Sequence, residues 1–120
     1  MILALVKQLF YWHPSRIEGH WDRRMRKRTD DLEGKTIGIV GLGKIGREVA
    51  QRALSFDMAV LAYDPYVAAT VAQQVSAGLV PLDEPMASTN VITVHAVSTP
   101  ETTALINGRN LALVRPESYF

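Results

Sequence analysis

Residues 41–46 read Gly41-Leu42-Gly43-Lys44-Ile45-Gly46, three glycines at the spacing of a phosphate-cradling turn. Gly41 permits a tight bend, Gly43 lets the main chain approach a pyrophosphate with no Cβ in the way, and Gly46 lets a helix pack closely on a strand. Free N–H groups at the helix start would face the phosphates, aided by the positive end of the helix dipole. Asp64 lies 23 positions after Gly41 and could accept hydrogen bonds from the hydroxyls of an adenosine ribose. Asp64-Pro65-Tyr66 offers no cation for a 2′-phosphate, so the pattern favours NAD over NADP. The competing reading is a structural glycine turn with an unrelated surface aspartate, because glycines are common and any tight turn uses them.

Context separates the two readings, since the motif needs a strand before it, a helix opening in it, and the acid at the end of the next strand. Residues 36–40 (Thr-Ile-Gly-Ile-Val) form a short, mostly β-branched apolar run, as a strand buried on both faces of a parallel sheet would. Residues 47–56 carry Val49, Ala50, Ala53, Leu54 and Phe56 on helical spacing. Residues 58–63 are a second apolar strand, closed by Asp64-Pro65. Downstream the pattern predicts a helix near 67–77, a strand near 79–81 and a short helix opening at Asp83. It then predicts a strand at 91–94, a helix over 100–114 broken at Asn107-Gly108, and a strand beginning at Tyr119. Strands alternating with helices imply an α/β Rossmann-type fold, a doubly wound parallel sheet with right-handed crossovers.

The first 34 residues differ from the rest. Ile2, Leu5, Val6, Leu9 and Phe10 fall on one stripe of an amphipathic helix over 2–12, which His13-Pro14 is expected to end. A polar arm follows, with Trp21 its one large apolar group. Two segments result: a helix with its linker arm at 1–34, and a partial dinucleotide-binding domain at 35–120. The apolar start has no basic segment before it and is too short for a bilayer, which needs about 20 apolar residues; no membrane association is expected.

Composition narrows the remaining chemistry. The 120 residues include no cysteine, which excludes disulfides, thiolate nucleophiles and Cys-type zinc sites and fits a reducing cytoplasm. Residues 1–35 hold eight Lys/Arg against five Asp/Glu, and residues 36–120 five against seven. The basic excess sits in Arg23, Arg24, Arg26, Lys27 and Arg28. No aromatic interleaves that run and Asp22, Asp30 and Asp31 flank it, so it reads as a solvated linker and no nucleic-acid partner is expected. His13 and His20 lack carboxylates at ligand spacing, so no metal site is expected. No Gly-x-Ser-x-Gly appears, which leaves a hydrolase reading without support.

Taken in order, Asp31-Leu32-Glu33-Gly34-Lys35-Thr36, the 41–46 motif, Tyr63-Asp64-Pro65-Tyr66, Val94-His95, Thr99-Pro100-Glu101-Thr102-Thr103 and Leu105-Ile106-Asn107 resemble one family. It is the cofactor-binding domain of the D-isomer-specific 2-hydroxyacid dehydrogenases, phosphoglycerate-dehydrogenase-like in flavour. The resemblance implies that Gly41, Gly43, Lys44, Ile45 and Gly46 serve the pyrophosphate, and that Asp64 and Pro65 serve the ribose. It assigns the loop of His95, Ala96, Val97 and Ser98, with Thr102 near its end, to the nicotinamide half of NAD(H). Residues 2–12 resemble the helix joining cofactor and substrate domains, and Gly19-His20-Trp21 a segment used in dimer contacts, which implies a homodimer.

The departures from that family carry expectations too. Ala96-Val97-Ser98 stands where a proline usually follows the histidine soon after. The family's substrate-gripping arginine and its acid/base pair come after the strand that Pro116-Glu117-Ser118-Tyr119-Phe120 resembles, and its substrate domain comes before residue 1. The expectation is therefore a piece truncated at both ends with no catalytic residue, meeting a small 2-hydroxy acid only in the full-length parent. The hydride belongs to the cofactor, while orientation, a carboxylate clamp and a proton donor must come from protein. His95, with no carboxylate that the sequence can place beside it, reads as a hydrogen-bonded loop residue. Exposed sheet edges at 91–94 and at Tyr119-Phe120 would give weak stability or self-association. The alternative is a non-catalytic dinucleotide-binding or association module of the same fold, as in the C-terminal-binding-protein corepressors that resemble this family.

Overall fold

The computed structural model describes residues 1–20 and 29–120. Trp21 and the basic run Arg23, Arg24, Arg26, Lys27 and Arg28 lie outside the described residues. The chain forms two compact units, Met1–Leu32 and Glu33–Phe120.

In the first unit the apolar stripe does not run along one helix. Helix α1 spans Ile2–Val6 and α2 spans Leu9–Ile17, with Gln8 between them in the left-handed region at φ 51°. The stripe is thereby split: Val6 is buried, whereas Leu9 and Phe10 are exposed. Pro14 sits inside α2 rather than ending it. A proline there removes the hydrogen bond to the carbonyl four residues back, a loss that solvent offsets on a helix with no buried residue. The Asp30 N–H donates to the Val6 carbonyl at 3.2 Å and Lys7 pairs with Asp31.

The second unit is built on four parallel strands, β1 (Thr36–Val40), β2 (Ala59–Tyr63), β3 (Ala77–Leu79) and β4 (Val91–Val94). Their order across the sheet is β3-β2-β1-β4, so the chain reverses direction of winding between β1 and β4. The central strand β1 is apolar because both its faces are covered: Ile37, Ile39 and Val40 are fully buried. Helix α3 (Lys44–Leu54) links β1 to β2, α4 (Ala69–Gln74) precedes β3, and α5 (Asp83–Ser88) links β3 to β4.

Gly38 and Ile39 face opposite sides of β1, which places α5 and α3 on opposite faces. A Cβ at Gly38 would lie 2.9 Å from Pro85 Cβ and from Thr89 Oγ1, whereas Ile39 Cγ2 lies 3.3 Å from where a Cβ on Gly46 would be. This is the doubly wound arrangement expected from the alternation of strands and helices.

The regions after β2 and β4 depart from sequence expectation in detail. β3 is two residues earlier than the apolar run at 79–81, and α4 is shorter than 67–77. The helix expected over 100–114 reduces to turns over 100–106 and α6 (Gly108–Leu111). Side chains cause the break, competing for the main-chain groups that a continuous helix would pair. Asn107 caps α6 by accepting from the Arg109 N–H at 3.0 Å, Asn110 returns the contact to the Asn107 N–H at 2.8 Å, and the Asn110 amide donates to the Leu105 carbonyl at 2.9 Å. Tyr119 forms a single parallel bridge to Val91 beside β4, where a strand was expected to begin. Among the described residues no helix is long and apolar enough to cross a membrane.

Candidate functional site

In an open α/β sheet the crevice forms beyond the carboxyl ends of the strands where the winding reverses. Here that place lies beyond Val40 and Val94, and it holds a cleft of about 320 Å³. Its lining includes Val40, Gly41 and Gly43 at the end of β1, Tyr63 to Tyr66 at the end of β2, and parts of the segment after β4 that include His95, Val97, Glu101 and Thr102.

The glycine bend is shaped by three different constraints. Gly41 has φ +96°, and a Cβ there would lie 2.6 Å from the Ala96 nitrogen; no side chain fits. Its N–H donates to the Tyr63 carbonyl at 2.8 Å, tying the end of β1 to the end of β2. Gly46 is buried, and a Cβ on it would stand 2.2 Å from the Gly41 carbonyl oxygen, so this glycine allows α3 to start hard against the bend. Gly43 is different: a Cβ there would meet nothing within 4 Å. Nothing inside the protein requires glycine at 43, and the space it leaves open belongs to the cleft. Leu42, fully buried, anchors the bend from beneath.

Gly43 is also the N-cap of α3, and among the described residues no side chain caps the helix. The N–H groups of its first turn have no intrahelical acceptor, so they are available to an anion. Asp64 stands beside them. Its Oδ2 accepts the Leu42 N–H at 2.8 Å and its Oδ1 accepts the Tyr66 N–H at 2.9 Å, which fixes the carboxylate at the bend while leaving lone pairs for further donors.

The opposite wall is a self-bonded loop. The His95 N–H donates to the Val40 carbonyl at 2.7 Å, continuing the β1–β4 ladder into the site. The His95 ring is 3.1 Å from the Thr93 hydroxyl through Nε2, and among the described residues no carboxylate pairs with it. Thr102 Oγ1 donates to the Val97 carbonyl at 2.6 Å and accepts the Thr99 N–H at 2.8 Å; Thr103 Oγ1 donates to the Thr99 carbonyl at 3.0 Å. Hydroxyls thus hold the turn that Ala96-Val97-Ser98 enters without a proline.

Of the residues singled out from sequence, Gly41, Gly43, Asp64, Pro65, His95, Ala96, Val97 and Thr102 line the cleft. Lys44 and Ile45 are exposed at the start of α3, and Gly46 is buried behind the bend. Sequence reasoning passed over Tyr66, Glu101 and Leu105, which also line it. The Tyr66 hydroxyl donates to Glu101 Oε2 at 3.3 Å across the opening. Repulsion from the Glu101 charge, then their hydrogen bond, then smaller effects that include Asp64, push the Tyr66 hydroxyl above its ordinary value of 10.0. Tyr66 adjoins Asp64-Pro65, and that adjacency was the available signal. Among the described residues no three His, Asp or Glu side chains form a metal-binding group.

The residues fit a dinucleotide: an uncapped helix start, an open position at Gly43 and a fixed carboxylate follow one another along the cleft. Comparison with known proteins agrees. The family description "D-isomer specific 2-hydroxyacid dehydrogenase, NAD binding domain" matches residues 1–120. D-3-phosphoglycerate dehydrogenase of Sus scrofa is 41% identical over 115 residues, covering 96% of this chain and 21% of that protein. The enzyme of the same name from Archaeoglobus fulgidus is 42% identical over 106 residues, covering 88% and 20%. The chain thus spans about a fifth of the length of these relatives. Among solved structures, D-lactate dehydrogenase from Aquifex aeolicus, complexed with NAD and lactic acid, superposes with TM-score 0.86 at 30% identity, covering 95% of this chain and 34% of that one. A Pyrococcus horikoshii protein shares the fold with TM-score 0.87 at 22% identity, covering 99% and 37%. Matched along its whole length, the chain belongs to the D-isomer specific 2-hydroxyacid dehydrogenase family, as an NAD-binding domain of that family.

Proposed function

We propose that this chain is the cofactor half of a dehydrogenase interconverting a D-2-hydroxy acid and its 2-oxo acid, and that it holds NAD(H) in the cleft at the carboxyl ends of β1, β2 and β4. The observation that carries this reading is the Asp64 carboxylate fixed beside an uncapped helix start at Gly43. The pyrophosphate lies along the N–H groups of Gly43, Lys44 and Ile45, with Gly41 and Gly46 setting the bend. Asp64, beside Pro65, accepts from the adenosine ribose hydroxyls. His95, Ala96, Val97 and Thr102 flank the nicotinamide half. When bound, the nicotinamide supplies or accepts the hydride.

The chain's own residues orient the cofactor and hold it out of water; substrate handling falls to other groups. Among the described residues no arginine lines the cleft, and His95 bonds a threonine rather than a carboxylate. The clamp on the substrate carboxylate and the proton donor therefore come from outside the described cleft. Phosphoglycerate and lactate, named in the relatives' descriptions, are both 2-hydroxy acids, which supports that substrate class. Calorimetric titration with NADH tests binding, and following NADH absorbance with hydroxypyruvate or 2-oxoglutarate tests turnover. Saturable binding without turnover by the 120 residues alone is the expected result.

Two further parts of the reading rest on composition and surface. A cysteine-free chain suits a reducing cytoplasm. Exposed Leu9, Phe10, Tyr11 and Ile17 in the first unit favour self-association, which sedimentation velocity over a concentration series measures.

A further inference from the structure

Among the described residues the cleft is lined by two carboxylates and by no lysine or arginine. Asp64 is the one that sequence pattern singles out. The second, Glu101, comes from the opposite wall, 35 positions from the tyrosine that holds it. Tyr66 connects the two: its N–H donates to Asp64 Oδ1 at 2.9 Å and its hydroxyl to Glu101 Oε2 at 3.3 Å. A tyrosine 78% exposed would ordinarily swing freely, yet the hydroxyl of this one is bonded to the opposite wall.

We propose that Glu101, positioned by Tyr66, is a second determinant of the choice between NAD(H) and NADP(H), acting with Asp64 against a phosphate on the adenosine ribose. The inference rests on the reading that the cleft holds the dinucleotide. Tyr66 bonds both carboxylates, so a ribose hydroxyl held by Asp64 would have Glu101 as the other acid on the described lining. A phosphate monoester there adds a charge of about −2 near neutral pH between two carboxylates that face no cation among the described residues. Like-charge juxtaposition acts chiefly by rejecting the wrong ligand, and repulsion of the diphosphate, common to both dinucleotides, cancels in the ratio of their affinities. Both charges already reach the Tyr66 hydroxyl, whose proton affinity rises through Glu101 first and Asp64 to a smaller degree. Asp64 is committed to two main-chain donors, whereas exposed Glu101 is bonded among the described residues by the phenol alone, so its oxygens are the freer of the two to face an added phosphate.

Calorimetric Kd values for NADH and NADPH, measured on the full chain, test this through their ratio. At an ionic strength of about 0.05 M, Glu101→Gln, which keeps an acceptor for Tyr66, is expected to lower the NADPH/NADH Kd ratio by about three- to ten-fold. Tyr66→Phe frees Glu101 from the wall and should lower the ratio by less, and the double variant by no more than Glu101→Gln alone. At 1 M salt, where the Debye length is about 3 Å, the difference between wild type and Glu101→Gln should largely vanish; a role in packing alone would persist. NADH binding with an unchanged ratio in Glu101→Gln would overturn this inference alone. Absence of NADH binding at millimolar concentration would overturn the cofactor reading and this inference with it.

Discussion

Asp64 and Leu42 are joined across the site: the aspartate Oδ2 accepts the leucine N–H at 2.8 Å, so the residue after β2 dictates the course of the bend after β1. Because Leu42 is fully buried and Asp64 is half-exposed, the bond ties a core anchor to a group that faces the cleft. Fold and binding share one side chain.

Asp64→Ala should therefore affect both. It removes acceptors for the Leu42 and Tyr66 N–H groups, bonds to a charged partner that contribute roughly 1.5–3 kcal/mol each when well shielded and less in a half-exposed position. A stability loss of about 1–3 kcal/mol by denaturant unfolding is expected, with NADH affinity down at least about ten-fold, or about 1.4 kcal/mol. Asp64→Asn, which retains one acceptor, should fall between. Unaltered unfolding of Asp64→Ala would contradict the tie.

The glycines should separate by kind. Gly46→Ala drives a methyl to 2.2 Å from the Gly41 carbonyl oxygen and should destabilise by about 3 kcal/mol or more, at the upper end of overpacking. Gly43→Ala meets nothing within 4 Å at φ −69° and should shift stability by less than about 1 kcal/mol while weakening NADH. Thermal melts beside titrations read the two effects apart.

The bend and β1 were legible because both signals are local: β-branched residues mark a strand covered on two faces, and a run of glycines before a helical period marks the turn. The acid at 64 was legible through spacing. What sequence could not supply is through-space. The Tyr66 to Glu101 contact joins residues 35 apart, and sequence shows its two ends as members of separate motifs, Tyr63-Asp64-Pro65-Tyr66 and Thr99-Pro100-Glu101-Thr102-Thr103, with nothing to join them. The split of 2–12 at Gln8 depends on a left-handed residue that nothing in the apolar stripe announces, and Pro14 is tolerated because α2 buries none of its residues. The turns at 100–106 arise from threonine and asparagine side chains taking main-chain partners, which a count of helical spacing does not weigh.

Thr102→Val tests the self-bonded wall. The variant loses the bonds to the Val97 carbonyl and the Thr99 N–H while keeping shape. Protease cleavage within 95–103 should quicken, and NADH affinity should fall by about three- to ten-fold, the equivalent of one net hydrogen bond of roughly 1 kcal/mol. Cleavage at the wild-type rate would show that the hydroxyl does not hold the loop.

Two titrations carry opposite signs. The Arg52 guanidinium hydrogen-bonds Glu48 at 2.6 Å and holds its carboxyl below the ordinary 4.5, so this pair's contribution is present above that value and lost as pH falls through the lowered one. Tyr66 is raised above 10.0, so its contribution is present below the ordinary value and lost as pH rises through the raised one. Ultraviolet titration should show one phenol of late onset that moves earlier in Glu101→Gln and is absent in Tyr66→Phe; an unchanged curve in either variant would argue against the contact.

The central claim, main-chain donors at an open glycine receiving the cofactor's diphosphate, is tested most directly by titrating NADH calorimetrically into the wild-type chain and Gly43→Ala side by side. One saturable site in the wild type, weakened at least about ten-fold in a variant of unchanged melting temperature, is the predicted result. Equal affinity in the two chains, or no binding by the wild type at millimolar NADH, would contradict it.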